Sequence, residues 1–428
     1  TSGASNTAVG GASLDDNTTG SNNTAVGQSA LSANTTANNN TAVGQIALFS
    51  NTTGATNVAV GNNSLDANST GSNNVGIGSH ALGGNTTASN NTAVGTDSLK
   101  ANTTGTGNVA VGMSSLLLNT TASNNTGIGK FALGANTTGT ENTAVGAFSL
   151  DANTTASYNT ALGYAALGLN TTGSENTALG NRSLDANTTG SNNTAVGQAA
   201  LTNATTGSNN TAVGDDALEA NTTASNNTAV GKAALEANTT GTQNVAVGSN
   251  AFLSNTTGNN CVAIGYNALD ANTDASENVA VGAFSLSANT TGVDNVGLGY
   301  QALEFNSTGN YNVACGHKAL EANTTAEGNT AVGYNALNDC TTGAGNTAVG
   351  SIALDNLTTG SLNTCIGRNS LASTTTAIEN DAMGVSAMSE NTTGSYNVAI
   401  GRNSLGNNTT ADNNTAVGNN ALFANTTG

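Results

Sequence analysis

The chain has 428 residues, of which only 7% are charged, and it contains no proline and no tryptophan. Its net charge of −18 excludes a nucleic-acid-binding protein, which needs a basic face. No apolar run approaches the ~18 residues of a membrane helix, so we expect no membrane insertion of this segment.

One glycine recurs every 17 residues, from Gly10 to Gly418, in 25 copies without an insertion or deletion. We number each 17-residue coil from this glycine as position 0. Starting at −4, the consensus is Asn-(Thr/Val)-Ala-Val-Gly-x-x-(Ala/Ser)-Leu-x-x-Asn-Thr-Thr-(Gly/Ala)-x-x. The unit is too short for a helical hairpin, and its Gly, Asn and Thr residues disfavour helix. The pattern predicts an all-β fold, a parallel β-solenoid (β-roll) of about 25 coils with two or three short strands per coil.

The ends of the repeat bear on domain organisation. We expect residues 1–428 to form a single continuous solenoid array. Thr1 and Gly428 break the repeat in mid-coil, so we expect the array to be uncapped at both ends and a fragment of a longer chain. Open strand edges and a thin core, with about two large apolar side chains per coil, favour self-association. We therefore predict a filament or a homo-oligomer.

The positions within a coil differ in how strictly they are kept. Asn occupies −4 in 24 of 25 coils and +7 in 21, and stacked amides can hydrogen-bond along the axis. Because Cys340 and Leu357 replace the +7 Asn, this row is predicted to point at least partly inward. Val at −1 and Leu at +4 are predicted to form the two main inward ladders, with small residues at −2 and +3 where another backbone or chain passes close by.

The backbone requirements of two glycine rows differ. The glycine at position 0 is invariant, so it is the candidate for a positive φ or a close chain approach. Position +10 is Gly in 16 coils and Ala in nine, so a strictly positive φ is not expected there.

The variable residues concentrate at +1, +2 and +5, which predicts exposed turns or an outer face. All seven Lys and Arg residues lie there: Lys100, Lys130, Arg182, Lys232, Lys318, Arg368 and Arg402. Aromatic residues occur there as well: Tyr164, Tyr266, Tyr300, Tyr334, Phe131 and Phe148. We interpret them as scattered solvated turn residues, and a weak binding surface is the alternative.

The few residues able to do chemistry do not assemble a site. His80 and His317 lie 14 coils apart, roughly 65 Å at the inter-strand spacing of parallel sheets, so they cannot share a metal or a catalytic step. The four cysteines occupy four different positions of the coil and match no zinc spacing. We interpret Cys261, Cys315, Cys340 and Cys365 as small buried substitutes for the consensus residues. The chain is therefore predicted not to be an enzyme, with no catalytic, cofactor-binding or metal-binding residue.

The Thr-Thr pair at +8 and +9 suggests a second function. In a strand one Thr would point in and one out, and an outward file of Thr is the alternative hypothesis of an ice-binding solenoid. The pair also completes Asn-x-Thr sequons such as Asn34-Thr35-Thr36. These sequons are glycan acceptors in a eukaryotic secretory pathway, but most are interpreted as amide–hydroxyl ladders.

The unit from Asn193 to Leu201, Asn-Thr-Ala-Val-Gly-x-x-Ala-Leu, resembles the head repeats of trimeric autotransporter adhesins. It is also similar to repeats of bacteriophage tail fibres and bacterial surface fibres. The resemblance covers the whole chain. It implies a structural fibre or filament shaft on a virion, at a cell surface or otherwise extracellular. The partners that it implies are other copies of the chain, with a trimer as one form, and cell-surface glycans to which the fibre would adhere.

Overall fold

The computed structural model describes residues 2–426 and shows an all-β protein. Within these residues there are 25 strands of three residues each and no helix. The chain divides into two compact units, Thr1–Ala212 and Val213–Gly428, each of which is a stack of 17-residue coils. The predicted fold class, a parallel β-solenoid with a 17-residue repeat, is confirmed. No helix in the described part is long and apolar enough to span a membrane.

The strands recur at the same three positions, −3 to −1, of every coil. In the first unit they are β1 (Thr7–Val9), β2 (Thr24–Val26), β3 (Thr41–Val43), β4 (Val58–Val60), β5 (Val75–Ile77), β6 (Thr92–Val94), β7 (Val109–Val111), β8 (Thr126–Ile128), β9 (Thr143–Val145), β10 (Thr160–Leu162), β11 (Thr177–Leu179) and β12 (Thr194–Val196). At the chain boundary between the units lies β13 (Thr211–Val213). The second unit contains β14 (Thr228–Val230), β15 (Val245–Val247), β16 (Val262–Ile264), β17 (Val279–Val281), β18 (Val296–Leu298), β19 (Val313–Cys315), β20 (Thr330–Val332), β21 (Thr347–Val349), β22 (Thr364–Ile366), β23 (Asp381–Met383), β24 (Val398–Ile400) and β25 (Thr415–Val417).

Each strand pairs in parallel with the next strand of its unit. The register places every residue opposite the residue 17 positions further on, as with Thr41 and Val58 or Val245 and Val262. The prediction of two or three strands per coil was wrong, because each coil has only one. Turns and bends make up the rest, yet they are also hydrogen-bonded to the next coil, for example from the Leu48 amide to the Ser64 carbonyl at 2.9 Å. Backbone pairing therefore continues around the coil without regular strand geometry.

The tight path of the coil requires left-handed backbone at several positions. The glycine at position 0 has a φ between 124° and 144° in every coil, as predicted. A Cβ there would also collide with the backbone of the next coil, so the row admits only Gly. Positions +2 and +4 have positive φ although they carry side chains, and Leu48 has a φ of 55°. This conformation costs about 1–2 kcal/mol per non-Gly residue, so burial of the +4 side chain must offset it.

Six positions of each coil face the interior: −4, −2, +3, +4, +7 and +10. In the coil of Gly44 they are the buried residues Asn40, Ala42, Ala47, Leu48, Asn51 and Gly54. The prediction of Leu at +4 as a core ladder is confirmed, but the prediction for Val at −1 was wrong. Strand residues alternate between faces, so the buried Ala at −2 places both −3 and −1 outside. A Cβ at Gly76, the −2 residue of its coil, would lie 2.7 Å from Oγ of Ser64 and 3.3 Å from Cδ1 of Leu65, so this position has room for a small side chain beside Leu.

The two Asn rows form hydrogen-bonded ladders along the axis, as predicted. At −4, the side-chain oxygen of Asn40 accepts from the backbone amide of Asn57 at 2.9 Å, and its Nδ2 donates to the Gly54 carbonyl at 2.9 Å. At +7, Nδ2 of Asn51 donates to Oδ1 of Asn34 at 3.2 Å and to the Gly54 carbonyl. Buried amides are stable here because each is satisfied by its copy in the neighbouring coil.

The +7 ladder has orphaned groups where the repeat departs from Asn. Ala204 follows Asn187 in this row, and Cys340 follows Asn323. The side-chain oxygens of Asn187 and Asn323 are both buried without a hydrogen-bond partner. A missing amide in one coil thus leaves an unsatisfied acceptor in the coil before it.

The +10 row shows a second dependence between neighbours. A Cβ at this position would approach the carbonyl oxygen of the +10 residue in the next coil, as the contact from Gly309 to Ala326 illustrates. The φ of the +10 glycines is not positive, so Ala is tolerated conformationally, as predicted. Nine coils have Ala at +10, and no two of them are consecutive. We infer that a Gly in the following coil provides the small backbone shift that the Cβ needs.

Replacing Ala204 with Asn is expected to stabilise the protein by about 1 kcal/mol, because the new amide supplies a donor to the orphaned oxygen of Asn187. The matched variant Cys340→Asn is expected to be nearly neutral. It would satisfy Asn323, but its own oxygen would face Leu357, which has no donor. Thermal unfolding followed by circular dichroism measures both, and equal effects of the two substitutions would contradict the ladder argument.

Two Gly→Ala variants test the dependence at +10. Gly190→Ala would also bring a Cβ close to the carbonyl oxygen of the next coil, but it lies between Gly173 and Gly207, as the natural +10 alanines lie between glycines, and is expected to be nearly neutral. Gly309→Ala would place two alanines in consecutive coils, against Ala326, and is expected to destabilise by about 1–3 kcal/mol through overpacking. Thermal unfolding midpoints compare the two. A Gly309→Ala protein as stable as Gly190→Ala would show that the spacing of alanines has no packing cause.

Candidate binding surfaces

The outward side of the strands is an apolar surface. We call it the strand face and define it as the side chains at −3 and −1 of each coil. The −1 residues are Val, Ile, Leu, Met or Cys, and they are half-buried to exposed, with Leu162 at 43% and Met383 at 42%. The −3 residues are Thr in 15 coils and Val in nine, and Asp381 is the only charged residue in either row. The face therefore presents regular apolar ranks to solvent in each unit.

The aromatic residues at +1 and +2 are not scattered, contrary to the prediction from sequence. In the second unit the rings of Tyr266, Phe284, Tyr300, His317 and Tyr334 follow one another in five consecutive coils, with centroids 5.3–6.2 Å apart. We call this set the aromatic ladder. The three tyrosines remain about half exposed. The sequence does carry a signal for the ladder, because aromatic rings occur at +1 or +2 in each of five adjacent coils. The signal is visible only when neighbouring coils are compared.

A shorter aromatic cluster lies in the first unit. Phe131 stacks on Phe148 at 5.8 Å, and Phe148 meets Tyr164 edge-on at 6.0 Å. The ammonium group of Lys130 lies 5.4 and 5.5 Å from the centroids of the two Phe rings. The cation–π contact explains how a Lys is accommodated beside two apolar rings.

A groove of about 610 Å³ interrupts the outer surface of the first unit. We call it the notch. Its base is Gly83–Gly84, the only place in the chain where +5 and +6 are both glycine, so two side chains that fill the surface of other coils are absent. The remaining lining residues are Asp66, His80, Lys100, Ala101, Leu117 and Leu118.

The polar groups of the notch are partly committed to one another. Oδ1 of Asp97 lies 3.0 Å from Nζ of Lys100 and 3.5 Å from Nδ1 of His80. The same imidazole nitrogen lies 3.2 Å from Oγ of Ser79. Asp66 is different, because its carboxylate borders the space above Gly83. Burial raises the pKa of Asp66, partly opposed by backbone hydrogen bonds and by His80.

The other chemistry-bearing residues are placed separately. No group of three or more His, Cys, Asp or Glu able to hold a metal ion occurs among residues 2–426. All four cysteines are free thiols, and Cys261, Cys340 and Cys365 are buried as predicted. Burial raises the pKa of Cys365 to about 12, so its thiol stays protonated. The prediction that Cys315 is buried was wrong, because position −1 points outward.

The Thr-Thr pair lies in bends rather than in a strand, so the expected in-and-out alternation was wrong. In the coil of Gly44, Thr52 at +8 is half-buried and its hydroxyl donates to the Ser69 carbonyl at 3.1 Å, whereas Thr53 at +9 is exposed. The +8 hydroxyl is therefore hydrogen-bonded to the backbone of the next coil. The sequon Asn34 is also committed, since its buried Nδ2 donates to Asn17 and to Ala37. The amide-ladder interpretation of such sequons agrees with this geometry.

No protein-family model matches the chain, and no curated protein matches it significantly. The resemblance to adhesin and tail-fibre repeats therefore stays a prediction that rests on the repeat itself.

A half-buried carboxylate offers a pH test of burial. Burial, together with repulsion from Asp339, raises the pKa of Asp355 above 3.8. The Asp355 carboxyl group then binds a proton more tightly in the folded protein than in the unfolded chain. At neutral pH the ionised carboxylate therefore lowers the free energy of unfolding, and this destabilisation disappears as the pH falls through the raised pKa. Asp355→Asn is therefore expected to raise the unfolding temperature at pH 7, with the gain shrinking towards pH 4. The exposed Asp16→Asn is the control, and a gain that grows on acidification would contradict the assignment.

Proposed function

We propose that the chain is a structural fibre or filament shaft, positioned at a cell surface, on a virion or elsewhere outside the cell, and that copies of it associate through the strand face. The observation that carries the proposal is the continuous row of half-buried to exposed apolar side chains at −1, accompanied by Thr and Val at −3, along each unit. Contiguous apolar patches exposed on a folded protein mark association surfaces.

A second copy of the chain is the occupant that fits the strand face best. Only Asp381 would carry a charge into such an interface, so association of like faces desolvates almost no ions. Because the backbone amides of the strands pair within the coil stack, association would use side chains alone. The 17-residue periodicity also gives both partners the same spacing of ranks, so apolar rows can interdigitate over many coils.

Adhesion to cell-surface glycans is the second part of the proposal. It is supported by the aromatic ladder, since half-exposed tyrosines are typical of binding surfaces. It is also supported by the notch, a concave site with a few polar groups on an apolar lining. Ice binding through the Thr rows receives less support, because the +8 hydroxyls donate within the chain and only the +9 rank is free to meet ice.

Self-association is tested by placing charge on the strand face. We expect the wild-type protein to run well above 41.5 kDa in size-exclusion chromatography with light scattering, and to form rods by electron microscopy. The double variant Ile128→Glu/Leu162→Glu is expected to dissociate towards the monomer, because both exposed side chains would bring charge into the interface.

The matched control is Thr138→Glu/Gln198→Glu, which adds the same charge at exposed positions outside the strand face. It is expected to leave the assembly unchanged. A wild-type protein that remains a 41.5 kDa monomer would overturn the proposal. Equal dissociation by both double variants would show that charge in general, rather than the strand face, controls assembly.

A further inference from the structure

We propose that the notch at Gly83–Gly84 is a binding site for a neutral pyranose sugar. The inference rests on the adhesive part of the proposed function and names the place and the chemistry of recognition. The site lies on rows +2, +5 and +6, which the strand face does not use.

The shape of the notch results from a local departure from the repeat. In other coils, positions +5 and +6 carry at least one side chain, and here both are absent. A Cβ at Gly83 would lie 3.2 Å from Oδ1 of Asp66 and 3.3 Å from the His80 carbonyl oxygen. The empty volume is thus bounded by polar atoms on one side. The next two coils close the other side with Lys100, Leu117 and Leu118.

The lining contains both an apolar surface and hydrogen-bonding groups, which a sugar ring requires. Leu117 and Leu118 provide an apolar wall on which the C–H face of a pyranose can pack, and Leu118 is 47% exposed. Asp66 provides carboxylate oxygens that accept hydrogen bonds from ring hydroxyls. Within residues 2–426, the His80 imidazole contacts Ser79 and Asp97 through Nδ1, which leaves Nε2 for a ligand.

The charges of the site favour a neutral ligand. Asp97 is already paired with Lys100 and lies close to His80, so the Lys100 ammonium is largely compensated. An anionic ligand would face Asp66 without a free cation to meet it. A wholly apolar ligand would leave the Asp66 carboxylate desolvated and unpaired. A polyhydroxylated ring with one apolar face satisfies both the carboxylate and the leucine wall.

The experiment uses the full chain and saturation-transfer NMR. The probes are the methyl glycosides of glucose, galactose, mannose and N-acetylglucosamine, with N-acetylneuraminic acid as the anionic comparison. At least one neutral glycoside is expected to bind with transfer to its ring C–H protons. Gly83→Leu, which fills the notch, and Asp66→Asn, which removes the charged acceptor, are each expected to weaken that binding at least tenfold.

The controls are Ser32→Leu and Asp270→Asn, which make the same kinds of change at +5 in other coils and should leave binding unchanged. Asp66→Asn preserves side-chain shape, so it keeps the test decisive if Gly83→Leu does not fold. Unchanged sugar binding in either notch variant, or binding of the anionic sugar alone, would overturn the inference while leaving adhesion open to another surface. Failure of every probe to bind, the anionic sugar included, would overturn both this inference and the adhesive part of the proposed function, whereas self-association is tested separately.

Discussion

The structure depends on the hydrogen bonds that join each 17-residue coil to the next coil of its unit. The backbone pairs in this way around most of the coil, and the Asn side chains at −4 and +7 pair in the same direction. A buried amide is costly unless it is satisfied, and here only the neighbouring copy satisfies it. An insertion in one coil would displace both ladders at once, which explains why 25 coils keep one length. The orphaned oxygens of Asn187 and Asn323 show the local consequence of losing one member.

The same dependence sets which positions are free to vary. Interior rows must fit the next coil, so −2 and +3 stay small, +4 stays large and +10 avoids consecutive alanines. The outer rows have no such partner. Charged, aromatic and glycine departures therefore collect at −5, +1, +2, +5 and +6. Some of those at +1, +2, +5 and +6 combine across adjacent coils into the aromatic ladder and the notch. A repeat built for stability thus leaves a separate set of positions on which binding can be placed.

Much of the fold was predictable because the physical requirement acts on single positions. The invariant Gly44 row had to adopt a positive φ, the Leu48 row had to be buried, and Cys340 and Leu357 indicated that the +7 row faces inward. The candidate sites were less predictable. His80, Asp66 and Lys100 are unremarkable when each is considered alone, and the notch exists only because Gly83 and Gly84 lack side chains between them. Such a site is formed by residues of several coils, so no single position in the sequence indicates it.

The sequence by itself determined the period, the β-solenoid class and the buried Leu and Asn rows, because in a strict repeat each interior position is restricted to residues that fit against its copies in the neighbouring coils. Only the tertiary structure decided which face of the strand looks outward. Hydrophobicity alone assigned Val at −1 to the core, but a 17-residue coil with one strand has room inside for Ala at −2 and not for Val. The apolar ranks that this places on the surface were hidden from the sequence, since the choice between two faces depends on the width of the closed coil.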